Sequence, residues 1–340
     1  MGRLGQYCVF KRAYAPPPAR QKRGCEAVHI KHSLVIPCYN EEENVARFLK
    51  AAKAAMEGYT ADYELVFVND GSRDGTQAAL RQLYEANRDM HITVIQFSRN
   101  FGKEAAMYAG LNAAKGEYVT VIDADMQQRP EVAVEMGRIL DAHPEYDMVA
   151  AFQAKRKENK LIAWFKKQFY KVINSVTEVQ FIPDASDFRT LRRPVVESIL
   201  ALSEYHRFSK GLFSWVGYQV YSIPYDVQAR ESGETKWNFR KLMRYALDGI
   251  MAYTDLPLKL PLYIGGLFTG LSAALAVALL VLELNSFSVG LWWIACLMLF
   301  LSGLILMSQG VMGRYLGKVH TQVKQRPIYI AREVLSDEEN

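Results

Sequence analysis

The sequence predicts an α/β domain built on a mostly parallel sheet, followed by juxtamembrane helices and two C-terminal transmembrane helices. Three observations carry that prediction. From residue 33 short apolar runs alternate with amphipathic helical stretches, the pattern of strands joined by crossover helices. The loops that follow the apolar runs, YNEEEN, NDGSRDGT, SRNFGK and DADMQQRP, are polar, and loops at the carboxyl ends of strands are where open α/β sheets bind ligands. Finally, 23 uncharged residues separate Lys259 from Glu283 and another 30 separate Glu283 from Arg314, each longer than the roughly 20 residues a spanning helix needs.

Taken in order, residues 1–32 hold Lys11, Arg12, Arg20, Lys22, Arg23 and Lys31 around Pro16, Pro17 and Pro18, with no apolar core of a signal peptide, and read as a disordered basic arm. Strands are expected at 33–37, 64–68, 92–97, 118–122 and 148–152, and helices at 44–56, 76–86, 103–114 and 131–140. The main domain extends over 33–235. Its part beyond 153 is more helical and more basic, opening with Lys155, Arg156, Lys157, Lys160, Lys166, Lys167 and Lys171 among Trp164, Phe165, Phe169 and Tyr170, a mixture that suits a helix in a lipid headgroup layer. Residues 236–259 are expected to be juxtamembrane amphipathic helices, 260–313 the two spans, and 314–340 a cytoplasmic tail. Arg240, Lys241, Arg244 and Lys259 precede the spans and Arg314, Lys318, Lys324 and Arg326 follow them, while ELNSFSVG between has no Lys or Arg. That asymmetry predicts the main domain and both termini on the cytoplasmic side of the cell inner (plasma) membrane.

Composition excludes several classes. With 340 residues and 50% hydrophobic content the chain can bury a large core, so it is neither disordered nor a disulfide mini-protein. A net charge of +5, from 41 basic and 36 acidic residues, is too small to point to nucleic acid. Cys8, Cys25, Cys38 and Cys296 form no CxxC, and the six histidines form no HExxH, so zinc-site spacing is missing.

The sharpest chemical signal is Asp123-Ala124-Asp125 at the end of a central strand. Two carboxylates two residues apart, freed from strand geometry by a turn, can share a hard divalent cation, Mg2+ or Mn2+, that substrate phosphates complete; Gln127 could add a polar contact. An isolated pair of this kind more often caps a helix. Here, though, Pro37, Tyr39 and Glu41 end the first strand and Asn69, Asp70, Gly71 and Ser72 the second, so three strand-end loops face one crevice. Asp70 could accept from a base N–H and Tyr39 could stack on the base. Neither GxGxxG nor GxxxxGK[ST] occurs, which argues against the dinucleotide fingerprint and the P-loop.

The strings VIPCYNEEENV, ELVFVNDGSRDGT, FSRNFGKEAAMYAGL, VIDADMQQRPE, SDFRTLRR, RFSKGLFSWVG and RESGETKW occur in order over residues 33–313. The chain resembles the family 2 glycosyltransferases that charge polyprenyl phosphate, among them dolichol-phosphate mannose synthase and the bacterial bactoprenol-phosphate glucosyltransferases. That resemblance implies a GT-A type, Rossmann-like nucleotide-sugar-binding domain. It implies donor contacts from Pro37, Tyr39, Glu41, Asp70, Lys103, Asp123, Ala124 and Gln127, and a metal held by Asp123, Asp125 and Gln127. Asp187 and Asp125 would stand at the reacting centre, Asp187 as orienter or, less readily, as base. Arg189, Arg207, Lys210, Arg230 and Lys236 would face the acceptor phosphate. Where relatives carry an Arg after Val149 this chain has Gln153, so Lys155, Arg156 or Lys167 would take over that contact.

The expected activity is inverting transfer of a sugar from a nucleotide-sugar donor, UDP-glucose or UDP-N-acetylglucosamine, to undecaprenyl or another polyprenyl phosphate; GDP-mannose stays open. A phosphate acceptor is already largely dianionic at neutral pH, so positioning and charge neutralisation suffice. Two other readings stand beside it: a glycan synthase with a hydroxyl acceptor, disfavoured by the missing QxxRW, and a non-catalytic scaffold or translocator. Gly265, Gly266, Gly270, Gly303 and Gly310 would allow close helix contacts in a homo-oligomer.

Overall fold

A computed structural model describes residues 29–153, 185–202, 204–205, 207–226, 263–264, 267, 274, 277, 281 and 291–336. Its first half is the expected alternation: β1 (His32–Cys38), α1 (Val45–Glu57), β2 (Tyr63–Asn69), α2 (Thr76–Ala86), β3 (His91–Phe97), α3 (Lys103–Ala113), β4 (Tyr118–Val121), α4 (Pro130–Ala142) and β5 (Met148–Gln153). There follow β6 (Ala185–Arg192), α5 (Arg193–Ala201), α6 (Ser209–Trp215), β7 (Val220–Tyr225), α7 (Leu291–Val323) and β8 (Ala331–Leu335).

The strands form one sheet in the order β7-β5-β6-β4-β1-β2-β3-β8. Pairs β1–β2, β1–β4, β2–β3 and β5–β7 are parallel, whereas β6 runs antiparallel to both β4 and β5, and β8 antiparallel to β3. Both faces are covered, so the central strands are apolar on both sides rather than alternating. Leu34, Ile36, Leu65 and Phe67 point into a core with Phe48, Met56 and Met136 from α1 and α4. Their neighbours Val35, Val66 and Val68 point the other way, onto Ala106, Met107 and Ala109 of α3 and Val195 and Val196 of α5. Helix α3 lies close to the sheet because its inward side is small: a Cβ on Gly110 would stand 2.2 Å from Val35 Cγ1.

Several buried polar groups in the sheet are paired across strands, as low dielectric favours. Glu64 accepts from Ser33 Oγ at 2.6 Å, and Thr120 Oγ1 bridges His32 Nε2 at 2.7 Å and Thr190 Oγ1 at 2.6 Å. The second half of SDFRTLRR staples loops: Arg192 donates to the Leu140 and Tyr146 carbonyls at 2.7 and 2.8 Å, and Arg193 Nε to the Gly116 carbonyl at 2.9 Å.

Two expectations change at the C-terminus. Among the described residues no helix is long and apolar enough to cross a membrane. This corrects the expected multi-pass inner-membrane placement with domain and termini in the cytoplasm, and leaves the two expected transmembrane helices without support among the described residues. An uncharged run does not show where a helix begins or ends: the 33-residue α7 continues past it through Arg314, Lys318 and His320. Most of 260–290, and all of 236–259 with the expected juxtamembrane helices, lie outside the described residues. Nor is 314–340 simply a tail: β8 completes the sheet, Glu333 pairs with Arg81 at 2.7 Å, and Tyr329 stacks on Phe97 with ring centres 4.9 Å apart.

Candidate active site

The central acids meet because of strand register. In the antiparallel β4–β6 ladder Val121 lies opposite Arg189, so continuing two residues along each chain sets Asp123 across from Asp187. Lys103, the first residue of α3, joins them: its Nζ lies 2.6 Å from Asp123 Oδ1 and 3.5 Å from Asp187 Oδ2. Burial works to lower the Lys103 ammonium, but Asp123 and then Asp187 outweigh it and hold the ammonium above its ordinary range. For Asp187 burial pushes upward, yet Lys103, Lys210 and Arg189 together keep the carboxyl below the usual range. Among the described residues its buried Oδ1 has no hydrogen-bond partner, an orphan of the sort a ligand satisfies.

The turn after β4 carries Met126 in the left-handed region at φ 60°, which bends the chain sharply behind Asp125. Asp125 Oδ1 accepts from the Gln127 N–H at 3.2 Å. The amide that engages Asp123 is Gln128, not Gln127: Gln128 Nε2 donates to Asp123 Oδ2 at 3.1 Å and its Oε1 accepts from the Asp123 N–H at 2.9 Å. Gln128 is buried at 6% exposure; the sequence singles out Gln127, and only the turn geometry decides between adjacent amides. Ala124, between the two acids in the chain, is buried at 2% in the apolar core.

On the nucleotide side, Pro37 and Tyr39 are half-buried at the end of β1. The Glu41 N–H donates to Thr76 Oγ1 at 2.9 Å and its Oε2 accepts from Asn44 Nδ2 at 2.7 Å. Asp70 is buried at 4% exposure and accepts from the Phe101 N–H at 2.6 Å and the Gly102 N–H at 3.0 Å. It thereby ties the β2 loop to the β3–α3 loop that delivers Lys103. Burial raises its carboxyl despite those bonds.

The basic residues separate into three groups. Arg189 is enclosed at 4% exposure, its guanidinium 3.9 Å over the Phe213 ring and donating to the Ser186 carbonyl at 2.9 Å; burial lowers it to about 10. Arg207 donates to the Leu202 and Ile199 carbonyls at 2.8 and 3.1 Å and lies 4.5 Å over Tyr108. Lys210, in the first turn of α6, acts on Asp187 through its charge. Lys155, Arg156, Lys167, Arg230 and Lys236 lie outside the described residues.

Two residues near the acids have no role assigned from the sequence. Glu104, next to Lys103 in α3, accepts from the Ser209 N–H at 3.1 Å and from the Ser209 hydroxyl, fixing the start of α6 on α3. Burial, then Asp187, raises its carboxyl to about 7. Tyr225, at the end of β7, is raised by burial, with Asp123 and Asp125 adding to the shift. Tyr225 comes from a distant segment, and only the shape of the sheet brings it near.

Asp123 and Asp125 offer oxygen donors that suit Mg2+ or Mn2+, but among the described residues no group of three or more His, Cys, Asp or Glu could hold a metal ion alone. The site fits such an ion when phosphate oxygens complete the shell, as is usual for magnesium.

A mostly parallel sheet with acids gathered at the carboxyl ends of its central strands is the GT-A-like class of fold. Residues 33–200 match the family described as glycosyl transferase family 2. Over 310 residues the chain is 42% identical to an uncharacterized glycosyltransferase of Synechocystis, covering 90% of this chain and 96% of that protein. It is 37% identical over 303 residues to the putative glycosyltransferase CsbB of Bacillus subtilis, covering 88% and 91%. With the prophage-derived bactoprenol glucosyl transferase of Shigella flexneri it shares 36% identity over 308 residues, covering 89% and 98%. The chain belongs to glycosyl transferase family 2.

Proposed function

We propose that this protein transfers a sugar from a nucleotide-sugar donor, UDP-glucose or UDP-N-acetylglucosamine, to polyprenyl phosphate with inversion at the anomeric carbon. An acceptor phosphate oxygen bonds to that carbon as the bond to the nucleoside diphosphate breaks. No proton need move. The carrying observation is the convergence of Asp123, Lys103 and Asp187, with Lys103 Nζ at 2.6 and 3.5 Å from the two acids, beside Asp125. The bactoprenol glucosyl transferase relative supports the choice of acceptor.

Asp123 and Asp125 would hold a divalent cation, which when bound neutralises the leaving diphosphate. Pro37, Tyr39, Glu41 and Asp70 build the donor end, where the nucleoside would lie. Asp187 is the orienter of the donor sugar and of Lys210. A carboxyl held below its usual range by three cations is a weak base, which favours a phosphate acceptor over a hydroxyl. The test mixes purified protein with labelled UDP-sugars, Mn2+ and undecaprenyl phosphate and follows label into the organic phase. Asp125→Asn should lower transfer by about 10²–10³-fold, the usual weight of one electrostatic element; unchanged transfer would refute the role of the paired acids.

A further inference from the structure

The acid cluster already contains a cation. Lys103 Nζ occupies Asp123 Oδ1 at 2.6 Å while Gln128 Nε2 occupies Oδ2 at 3.1 Å, so both oxygens of the first acid are engaged. The same ammonium is 3.5 Å from Asp187. The arrangement is accessible, with side-chain exposures of 43% for Lys103 and 29% for Asp123, so an incoming anion can reach the lysine from solvent. A divalent ion approaching alone must push the ammonium off Asp123 and leave it beside a doubly charged neighbour with no compensating anion, which is unfavourable. A diphosphate removes that conflict, because its oxygens give Lys103 a new partner while completing the coordination of a hard cation.

We infer that Lys103 is the resident counter-ion of Asp123 and Asp187, and that the divalent cation enters together with the donor's diphosphate, which draws the ammonium away. The inference rests on the nucleotide-sugar reading above and adds the order of events at that site. Lys103 thus has two anionic partners in turn: the acids before the donor arrives and the diphosphate afterwards. Metal and nucleotide are then coupled ligands, each tightening the other by one common factor.

Mn2+ binding, read from the free-ion EPR signal, tests this with full-length wild type and with Lys103→Met, Lys103→Gln and Lys103→Arg, each with and without UDP or GDP; circular dichroism verifies folding. Wild type should hold Mn2+ weakly alone and more tightly with nucleotide, by about 5- to 150-fold, the usual span of such coupling. The Met and Gln variants should hold Mn2+ alone at least about fivefold more tightly than wild type and lose most of the nucleotide effect, since Asp123 and Asp187 are left without this ammonium. Arg, still cationic, should follow wild type. Unchanged or weaker Mn2+ binding in the neutral variants, including none at all, overturns the resident counter-ion. Failure of both nucleotides to bind wild type, measured separately by calorimetry with and without Mn2+, overturns the nucleotide-sugar reading instead.

Discussion

Gly71 is the position where one added methyl group should do the most damage to the site. It follows Asp70 with φ +63°, and a Cβ there would stand 2.4 Å from Arg99 C, 2.6 Å from Asn100 N and 2.8 Å from Arg99 O, all backbone atoms that cannot swing aside. Restoring an ordinary 3.4 Å contact requires 3.4 − 2.4 = 1.0 Å of separation between the two loops. A shift of that size directed along the Phe101 N–H bond to Asp70 would stretch it from 2.6 to 3.6 Å, beyond hydrogen-bonding range. The left-handed backbone adds about 1–2 kcal/mol for an L-residue, and weakening a bond to a carboxylate adds about 1.5–3 kcal/mol. Gly71→Ala should therefore lose about 2.5–5 kcal/mol and melt about 5–15 °C lower, with weakened UDP binding because the displaced loop carries Lys103. Gly217→Ala is the matched control: φ is +73° and nothing lies within 4 Å of its Cβ, so it should show the backbone cost without the collision and away from Asp70. Thermal melts and UDP calorimetry on both variants give the comparison. If Gly71→Ala melted no lower than Gly217→Ala and bound UDP normally, the proposed coupling of the two loops through Asp70 would be wrong.

Other expectations concern the edges of the site. Because the Glu104 carboxyl is raised to about 7 in the fold from an ordinary 4.5, its contribution to stability is fully present below about pH 4.5 and is lost as pH rises through about 7. Melts of wild type between pH 5 and 8 should show an extra fall, on the order of 1–3 kcal/mol, that Glu104→Gln lacks; parallel curves would exclude it. Arg207→Lys should cost about 1–2 kcal/mol in a denaturant titration, since an ammonium cannot reproduce the forked contact with the carbonyls of Ile199 and Leu202. Removing residues 324–340 takes away β8, the Arg81–Glu333 pair and the Tyr329–Phe97 stack. It should lower the melting temperature by several degrees and, by baring the β3 edge, produce concentration-dependent association visible in light scattering.

Much of this protein is legible along the chain where the signal is local. Strand β2 shows itself through ELVFV, and α1 through Val45, Phe48, Ala52 and Met56 at helical spacing. Parallel strands need apolar residues on both faces, and short amphipathic helices need one apolar side, so each element declares itself within its own residues. Asp123, Asp125 and Asp70 are legible for the same reason, each ending an apolar run before a turn. Strand β6 is not: ASDFRTLR mixes polar and apolar groups because it turns back against β4 and brings Asp187 to the site. Nor is β8, whose AREVL gains its partner only from an edge more than two hundred residues earlier.

By itself the sequence determined the alternating α/β half and the paired acids, because those rest on the periodicity and chemistry of neighbouring residues, while its ordered motif strings carried the resemblance to a family of sugar-transferring enzymes. Tertiary structure decided what distance along the chain hides. It set Gln128 against Asp123, enclosed Arg189 against Phe213, set Glu104 under Ser209, returned residues 331–335 to the sheet and left the two expected spans without support among the described residues. The meeting of Asp123, Lys103 and Asp187 belongs to this second kind, since an antiparallel register and the first turn of α3 place them, and neither exists until the sheet has closed.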